Sequence, residues 1–425
     1  VTKFAEERHF ERAALLESPL AMVIAALIVR TAVMLFAYKI QLDPANDHWT
    51  FGWETGRVAR SIATGHGFSS PYSEPTGPTA LIPPIYTYIV AAVFKILGIY
   101  TAASALVLLT LNNLFSSLTC LPVYFIARKA FGSRVAAWSG WAWVIFPYSI
   151  ALSNTAVWET CLSTLLFSLS VLATLSIEKS RNILAWVGFG LLWGGVGLAS
   201  PGALSVLPFL GGWVWIRQWR RGNNCTAVAA VASLCFLALV APWIWRCSKT
   251  YGRFVAFRGN FGLEVLVGNS SDTSHPANSN MLPGYNIEEL NELERVGESA
   301  YMVEKQKQAR ELVLREPLRY VVLTIRRVIN TWTAIWDFPP ALTLENSGLL
   351  NVLMYSLISA LAFMGIGTAI RDRQDYVFPL AVLPVVFPML YYLTHSDLGF
   401  RHPIDPVLTI FAVYGIWSGA QNRKK

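Results

Sequence analysis

The sequence is poor in charge. Of its 425 residues only 14% are Asp, Glu, Lys or Arg, while 54% are hydrophobic and the mean hydropathy is +0.43. A soluble domain carries about 25% charged residues, so this composition excludes one and describes an all-α polytopic membrane protein. Cysteine is scarce as a framework: Cys120, Cys161, Cys225, Cys235 and Cys247 are scattered and form no CxxC pair. That excludes a disulfide scaffold or a thiolate metal site. No HxxxH spacing, internal repeat or low-complexity tract is present. No cleavable signal peptide is expected, because the charged start runs directly into a full-length span at 20–40. The net charge of +8 sits in short basic clusters between apolar runs, which is the positive-inside pattern and not a nucleic-acid surface.

Further spans are expected near 101–126, 135–150, 160–177, 183–198, 203–216, 226–245, 348–370, 376–393 and 406–418, giving about ten with both termini cytoplasmic. Arg128, Lys129, Arg134, Lys179, Arg181, Arg217, Arg220 and Arg221 mark the cytoplasmic joints, and the opposite joints 151–159 and 200–202 lack Lys and Arg. The apolar segments 83–97 and 318–336 are expected to lie at the outer interface without crossing. The first is too short to span, and the second carries Arg326 and Arg327 in its middle. Three regions follow: an N-terminal membrane module, 1–245, with an outer loop at 41–100; an extracytoplasmic loop region, 246–346; and C-terminal membrane helices, 347–425.

The outer loop 41–98 organises the rest. Asp43-Pro44 suits a helix start, with Gly65 as the stop. Asp47 and Glu54, seven residues apart, would then share a helix face. A carboxylate there can act as a general base on a hydroxyl or ligate a divalent cation through oxygen. The plain alternative is a pair of solvated charges, with Glu54 answering Arg57 one turn on. His48 and His66 lack metal-ligand spacing, so packed or surface histidines are the simpler reading.

Three other passages can carry chemistry. Around 397–406, Arg401 and His402 stand at the outer end of the last span, where an arginine fork can bind a lipid phosphate or merely snorkel to headgroups. Glu159, in Trp158-Glu159-Thr160, either lines a site or complements a helix dipole. The stretch 253–269, with Arg258 and Asn269, reads as a short β-like platform under the large loop.

These passages together resemble the GT-C class of membrane glycosyltransferases. The nearest branch is that of protein O-mannosyltransferases and the aminoarabinose transferases of lipid A. The likeness rests on WETGRVARSIATGHGF, PPIYTYIVAAVFKILG, GRFVAFRGNFGLEVLVGN and FRHPIDPVLTIFAVYG, in that order. It implies inverting transfer of a sugar from a polyprenyl-phosphate donor to an acceptor hydroxyl on a protein, lipid or glycan. The site would face the extracytoplasmic side of a bacterial inner membrane. The first outer loop of that family supplies a catalytic acid, often in an Asp-Glu pair; here Phe51-Gly52 stand where the pair would align, so Glu54 ranks first and Asp47 second. Relatives carry Lys or Arg before the paired prolines where this chain has Ile82, which shifts donor-phosphate binding toward Arg401 and other outer arginines. His402, Glu159, Arg57, His66, Asn269 and Arg258 complete the expected substrate-binding set, and a divalent metal at Asp47 and Glu54 stays open. A transporter or a lipid-linked-glycan flippase or polymerase is the alternative. A transporter would bury its polar site at mid-membrane, whereas the charges here cluster outside.

Overall fold

The computed structural model describes residues 16–36, 51–73, 75–155, 157–270, 279–336 and 348–422. Asp43, Asp47 and His48 therefore lie outside the described residues. The described chain is helical nearly throughout, and its one β-type pairing is an isolated bridge between Ser69 and Pro78.

The N-terminal half runs α1 (Pro19–Phe36), α2 (Glu54–Ala63), α3 (Pro84–Leu97), α4 (Ala102–Leu118), α5 (Cys120–Phe131), α6 (Ser133–Val144), α7 (Pro147–Thr155), α8 (Thr160–Ile177), α9 (Ile183–Ala199), α10 (Leu207–Arg220) and α11 (Thr226–Tyr251). The remainder runs α12 (Phe261–Asn269), α13 (Ile287–Val296), α14 (Glu298–Arg315), α15 (Pro317–Thr333), α16 (Gly348–Arg371), α17 (Val377–Val386), α18 (Met389–Leu393), α19 (Leu398–Arg401) and α20 (Asp405–Asn422).

By length and apolarity five described helices can cross a membrane: α1, α4 with α5, α8, α11 and α16. A sixth forms if the α6–α7 pair, bent by 41°, is one span. The expected spans at 183–198, 203–216 and 376–393 are shorter. Pro201 opens a 3-10 turn before α10, and the segment expected at 376–393 divides into α17 and α18 around Pro388, because proline removes the donor that would continue the ladder.

The α6–α7 break has a resident cation. Arg30 of α1 is fully buried, and all five of its guanidinium N–H groups have acceptors. Nε donates to Ser116 Oγ (2.8 Å). Nη1 donates to the carbonyls of Ala26 (3.3 Å) and Val144 (3.1 Å), and Nη2 to Trp143 O (3.2 Å) and Ser149 Oγ (2.8 Å). Carbonyls released where α6 ends are thus satisfied by α1. Elsewhere helices meet through small residues: Gly365 of α16 lies directly on the backbone of Phe411 in α20, where a Cβ would have no room.

Two expectations about the outer region are corrected. No helix runs unbroken from Asp43 through Glu54: Gly52 and Trp53 take φ of 75° and 42°, and α2 begins at Glu54. The seven-residue spacing therefore does not set Asp47 and Glu54 on one helical face. Nor is 253–269 a β-like platform; its Phe261-Gly-Leu-Glu-Val-Leu-Val-Gly-Asn269 segment is α12. The β-branched Val265 and Val267 favour strands, but here both are buried, Val265 beside Ala309 of α14, and packing overrides propensity. Helix α15 presents Leu318, Val321, Val322, Ile325 and Ile329 outward. Its buried Arg327 donates to Gly268 O (2.5 Å), Asn269 Oδ1 (2.7 Å) and Tyr392 O (3.1 Å), pinning the ends of α12 and α18.

Candidate active site

The first residue of α2 is Glu54, held by an unusual turn. Thr55 N–H donates to Gly52 O (2.8 Å) and Arg57 N–H to Trp53 O (3.1 Å). Gly52 rests on Val157 O and the Trp158 ring, so a side chain there would collide as well as strain the positive φ. The same contact brings the 157–159 segment, and Glu159 with it, against the start of α2.

Glu54 is partly exposed, yet surrounding protein raises its carboxyl above the ordinary carboxylate range. Burial is the main cause and the negative charge of Glu264 adds to it, while Arg57 and Arg258 pull the other way. Arg57 is 5% exposed, with its guanidinium 4.8 Å from the Trp53 ring centre. The Trp53 ring in turn meets Tyr285 at 5.0 Å. Buried Tyr72 completes this wall; its phenol is pushed well up by burial first and by Glu54 next.

On the facing side, Glu264 of α12 accepts from Asn260 Nδ2 (2.6 Å), lies 3.7 Å from Arg258 Nη2 and 3.4 Å from His395 Nδ1. Arg258 Nε donates to Leu81 O (2.6 Å), tying α12 to the loop ahead of the paired prolines. Tyr391 lies within electrostatic reach of Arg258, Glu159 and Glu264. Glu54, Arg57, Glu159 and Arg258 thus share one neighbourhood with Glu264, His395 and Tyr391.

Other expected site residues lie elsewhere. His66 stands past the opposite end of α2, its Nδ1 2.9 Å from Thr64 Oγ1, and ten helical residues at about 1.5 Å each separate it from Glu54. Asn269 is 3% exposed and occupied by Arg327 and Val265 O. Arg401, read from the sequence as a rim residue, is 2% exposed inside the bundle. Its Nε meets Asp405 Oδ1 (2.9 Å), its Nη1 reaches Ser359 Oγ (3.0 Å) and Thr331 O (3.3 Å), and its guanidinium lies 3.8 Å from the Tyr355 ring centre. His402 takes the other Asp405 oxygen (3.1 Å) and stacks on Trp143. The partners of neither belong to the Glu54 group.

Sequence reading missed Glu264, His395, Tyr72 and Tyr285. The one usable signal was Glu264, a single acid inside the apolar run FGLEVLVG. A residue so placed on a helix must find partners.

A metal does not fit the described side chains. Among them no three His, Cys, Asp or Glu residues converge, and Glu264 is already engaged by Asn260, Arg258 and His395.

Residues 82–245 match the family model of the dolichyl-phosphate-mannose-protein mannosyltransferases. Among solved structures, the oligosaccharyltransferase of Archaeoglobus fulgidus tethered to an acceptor peptide overlays with a TM-score of 0.57 at 16% identity. The match covers 95% of this chain and 50% of that one. The same archaeal enzyme, AglB, with an inhibitory peptide and dolichol-phosphate gives 0.56 at 15%, covering 96% and 51%. The chain shares the fold of this archaeal oligosaccharyltransferase. ArnT of Cupriavidus metallidurans bound to undecaprenyl phosphate also matches, at 14% identity and a TM-score of 0.38, over 95% of this chain and 79% of that one. No curated protein sequence matches the chain. The chain spans about half the length of the archaeal oligosaccharyltransferases it overlays.

Proposed function

We propose that the protein is an inverting glycosyltransferase that moves a sugar from a polyprenyl-phosphate donor to an acceptor hydroxyl at the extracytoplasmic membrane face. The observation that carries this reading is Glu54, a carboxylate of raised proton affinity at a helix start, flanked by Arg57 and Arg258 in a GT-C fold. In the reaction the acceptor oxygen attacks the anomeric carbon as the bond to the phosphate oxygen breaks. The hydroxyl proton passes to Glu54, and the carrier leaves as a phosphate anion. That anion needs a cation and no strong acid.

Arg258 is the guanidinium we assign to the phosphate, with Arg57 beside it. Arg401 instead holds the bundle together through Asp405. Glu264 orients Arg258 and tunes Glu54, and His395 lies against Glu264. Asp47 stays a second candidate base, and no step is routed through a metal. The archaeal oligosaccharyltransferase that shares this fold is in complex with a dolichol-phosphate, which supports a polyprenyl-phosphate donor here. Purified protein given a polyprenyl-phosphate sugar and analysed for glycosylated acceptor by mass spectrometry tests the reading. Unchanged turnover in both Glu54→Gln and Asp47→Asn would overturn it.

A further inference from the structure

At the basic end of the bundle, α9, α10 and α11 enclose a cavity of about 370 Å³. Trp186, Trp193, Gly211, Trp215, Ala229 and Phe236 wall it, and none of its described lining side chains is charged. That volume falls in the usual range of small-ligand sites, about 300–1,000 Å³. Leu184, Leu191, Ile216 and Leu234 on the same helices are exposed, which is the surface a bilayer covers.

The cavity is separate from the Glu54 neighbourhood. The lining climbs α9 from Trp186 to Trp193, and the six further residues to Ala199 add about 9 Å at 1.5 Å per residue. Only beyond it does Gly202 touch Tyr391.

The near end is strongly basic. Lys179, Arg181, Arg217, Arg220 and Arg221 gather where α9, α10 and α11 are joined. Buried Glu178 answers Arg221 (3.5 Å) and Arg217 (3.9 Å), and Asp375 answers Arg217 (3.3 Å). An excess of cations remains at that end of the helices. The positive-inside rule sets that end at the cytoplasmic leaflet.

We infer that this cavity is a lipid site, filled by one acyl chain of an anionic phospholipid of the cytoplasmic leaflet with its phosphate against the basic end. A lipid tail is as apolar in the bilayer as in the cavity, so the chain is held by close packing against the indoles rather than by leaving water. Charge at the basic end then selects the headgroup, because guanidinium groups hold phosphate oxygens in a bidentate fork.

The test uses the full chain in nanodiscs of phosphatidylglycerol or phosphatidylcholine, extracted into detergent and weighed by native mass spectrometry. One phosphatidylglycerol should remain bound per chain and phosphatidylcholine should not. Gly211→Phe, built where a Cβ meets nothing within 4 Å, should reduce occupancy at least tenfold, while glycosyl transfer at the far end is unchanged. Gly211→Leu and Ala229→Leu give gentler fillings that keep the test usable if the larger side chain prevents folding. Retention of the lipid in the filled variants, equal retention of phosphatidylcholine, or displacement by polyprenyl phosphate would each overturn the assignment.

Discussion

Arg401 and Asp405 form an ion pair one helical turn apart, 2.9 Å between Nε and Oδ1, with both side chains almost wholly buried. His402 lies 3.1 Å from the second oxygen of the same carboxylate. One acid thus locks α19 to α20, and through Ser359 and Thr331 the arginine also holds α16 and α15. Truncating one member of such a pair leaves the other charge uncompensated, at about 3–5 kcal/mol. Arg401→Ala should therefore lower the melting temperature and folded yield. The fraction that folds should bind a polyprenyl-phosphate donor normally. Normal stability with lost donor binding, read by thermal shift and lipid-binding assay, would return Arg401 to the donor site.

Glu54 must be ionised to accept a proton, and its proton affinity is raised. The acidic limb of the kcat/KM profile should consequently lie above the ordinary Glu value. Removing the negative charge in Glu264→Gln should move that limb to lower pH, and Arg258→Gln should move it higher. Arg258→Gln should additionally weaken the donor. Glu54→Gln should cost about 10²–10⁴-fold in turnover at intact donor binding. A limb that stays put in all three variants would exclude Glu54 as the titrating base.

Gly52→Ala tests the turn beneath that base. Strained backbone of this kind costs about 1–3 kcal/mol, and the added methyl would also press on Val157 O and Trp158. Turnover should fall while donor binding persists, since Glu54 shifts and Arg258 does not. Equal loss of both would mean that the whole loop unfolds.

Glu298, at the start of α14, receives hydrogen bonds from Thr79 Oγ1 (2.8 Å), Ala80 N–H (3.0 Å) and the Tyr251 hydroxyl (2.5 Å), all on one oxygen. Burial, the largest cause, raises its proton affinity even against these bonds. The folded state binds this proton more tightly than the unfolded chain. Its stabilising contribution is full below the unfolded pKa and is lost as pH rises through the folded one. Glu298→Gln should flatten that decline in thermal-unfolding scans across pH, whereas Glu298→Ala should destabilise at every pH.

Arg30 serves five neutral acceptors from inside α1. Arg30→Met should leave the Val144 carbonyl without its guanidinium donor, at about 1–3 kcal/mol, while Trp143 O keeps the Phe146 N–H (3.3 Å). Lysine, with three donors, should restore only part of the loss. Limited proteolysis near 145–147 is the direct readout, and equal protection in parent and Arg30→Met would show that the break holds itself.

Much of the molecule was legible from the sequence alone, and the reason is physical. Apolar runs long enough for a bilayer, proline and glycine punctuation and the placing of basic residues follow from local chemistry that each segment carries by itself. They gave the all-α membrane class, the short α3 and Gly65 just past the end of α2. The partners of charged side chains were not legible, because they depend on residues distant in sequence. Nothing local distinguishes Arg401, sealed against Asp405 and Tyr355, from Arg258, left beside the Glu54 neighbourhood. Nothing local turns FGLEVLVGN from strand to helix either, until α14 buries it. Tertiary packing alone decided which arginines hold the bundle and which stand beside Glu54, since the burial of a charge is settled by every element around it.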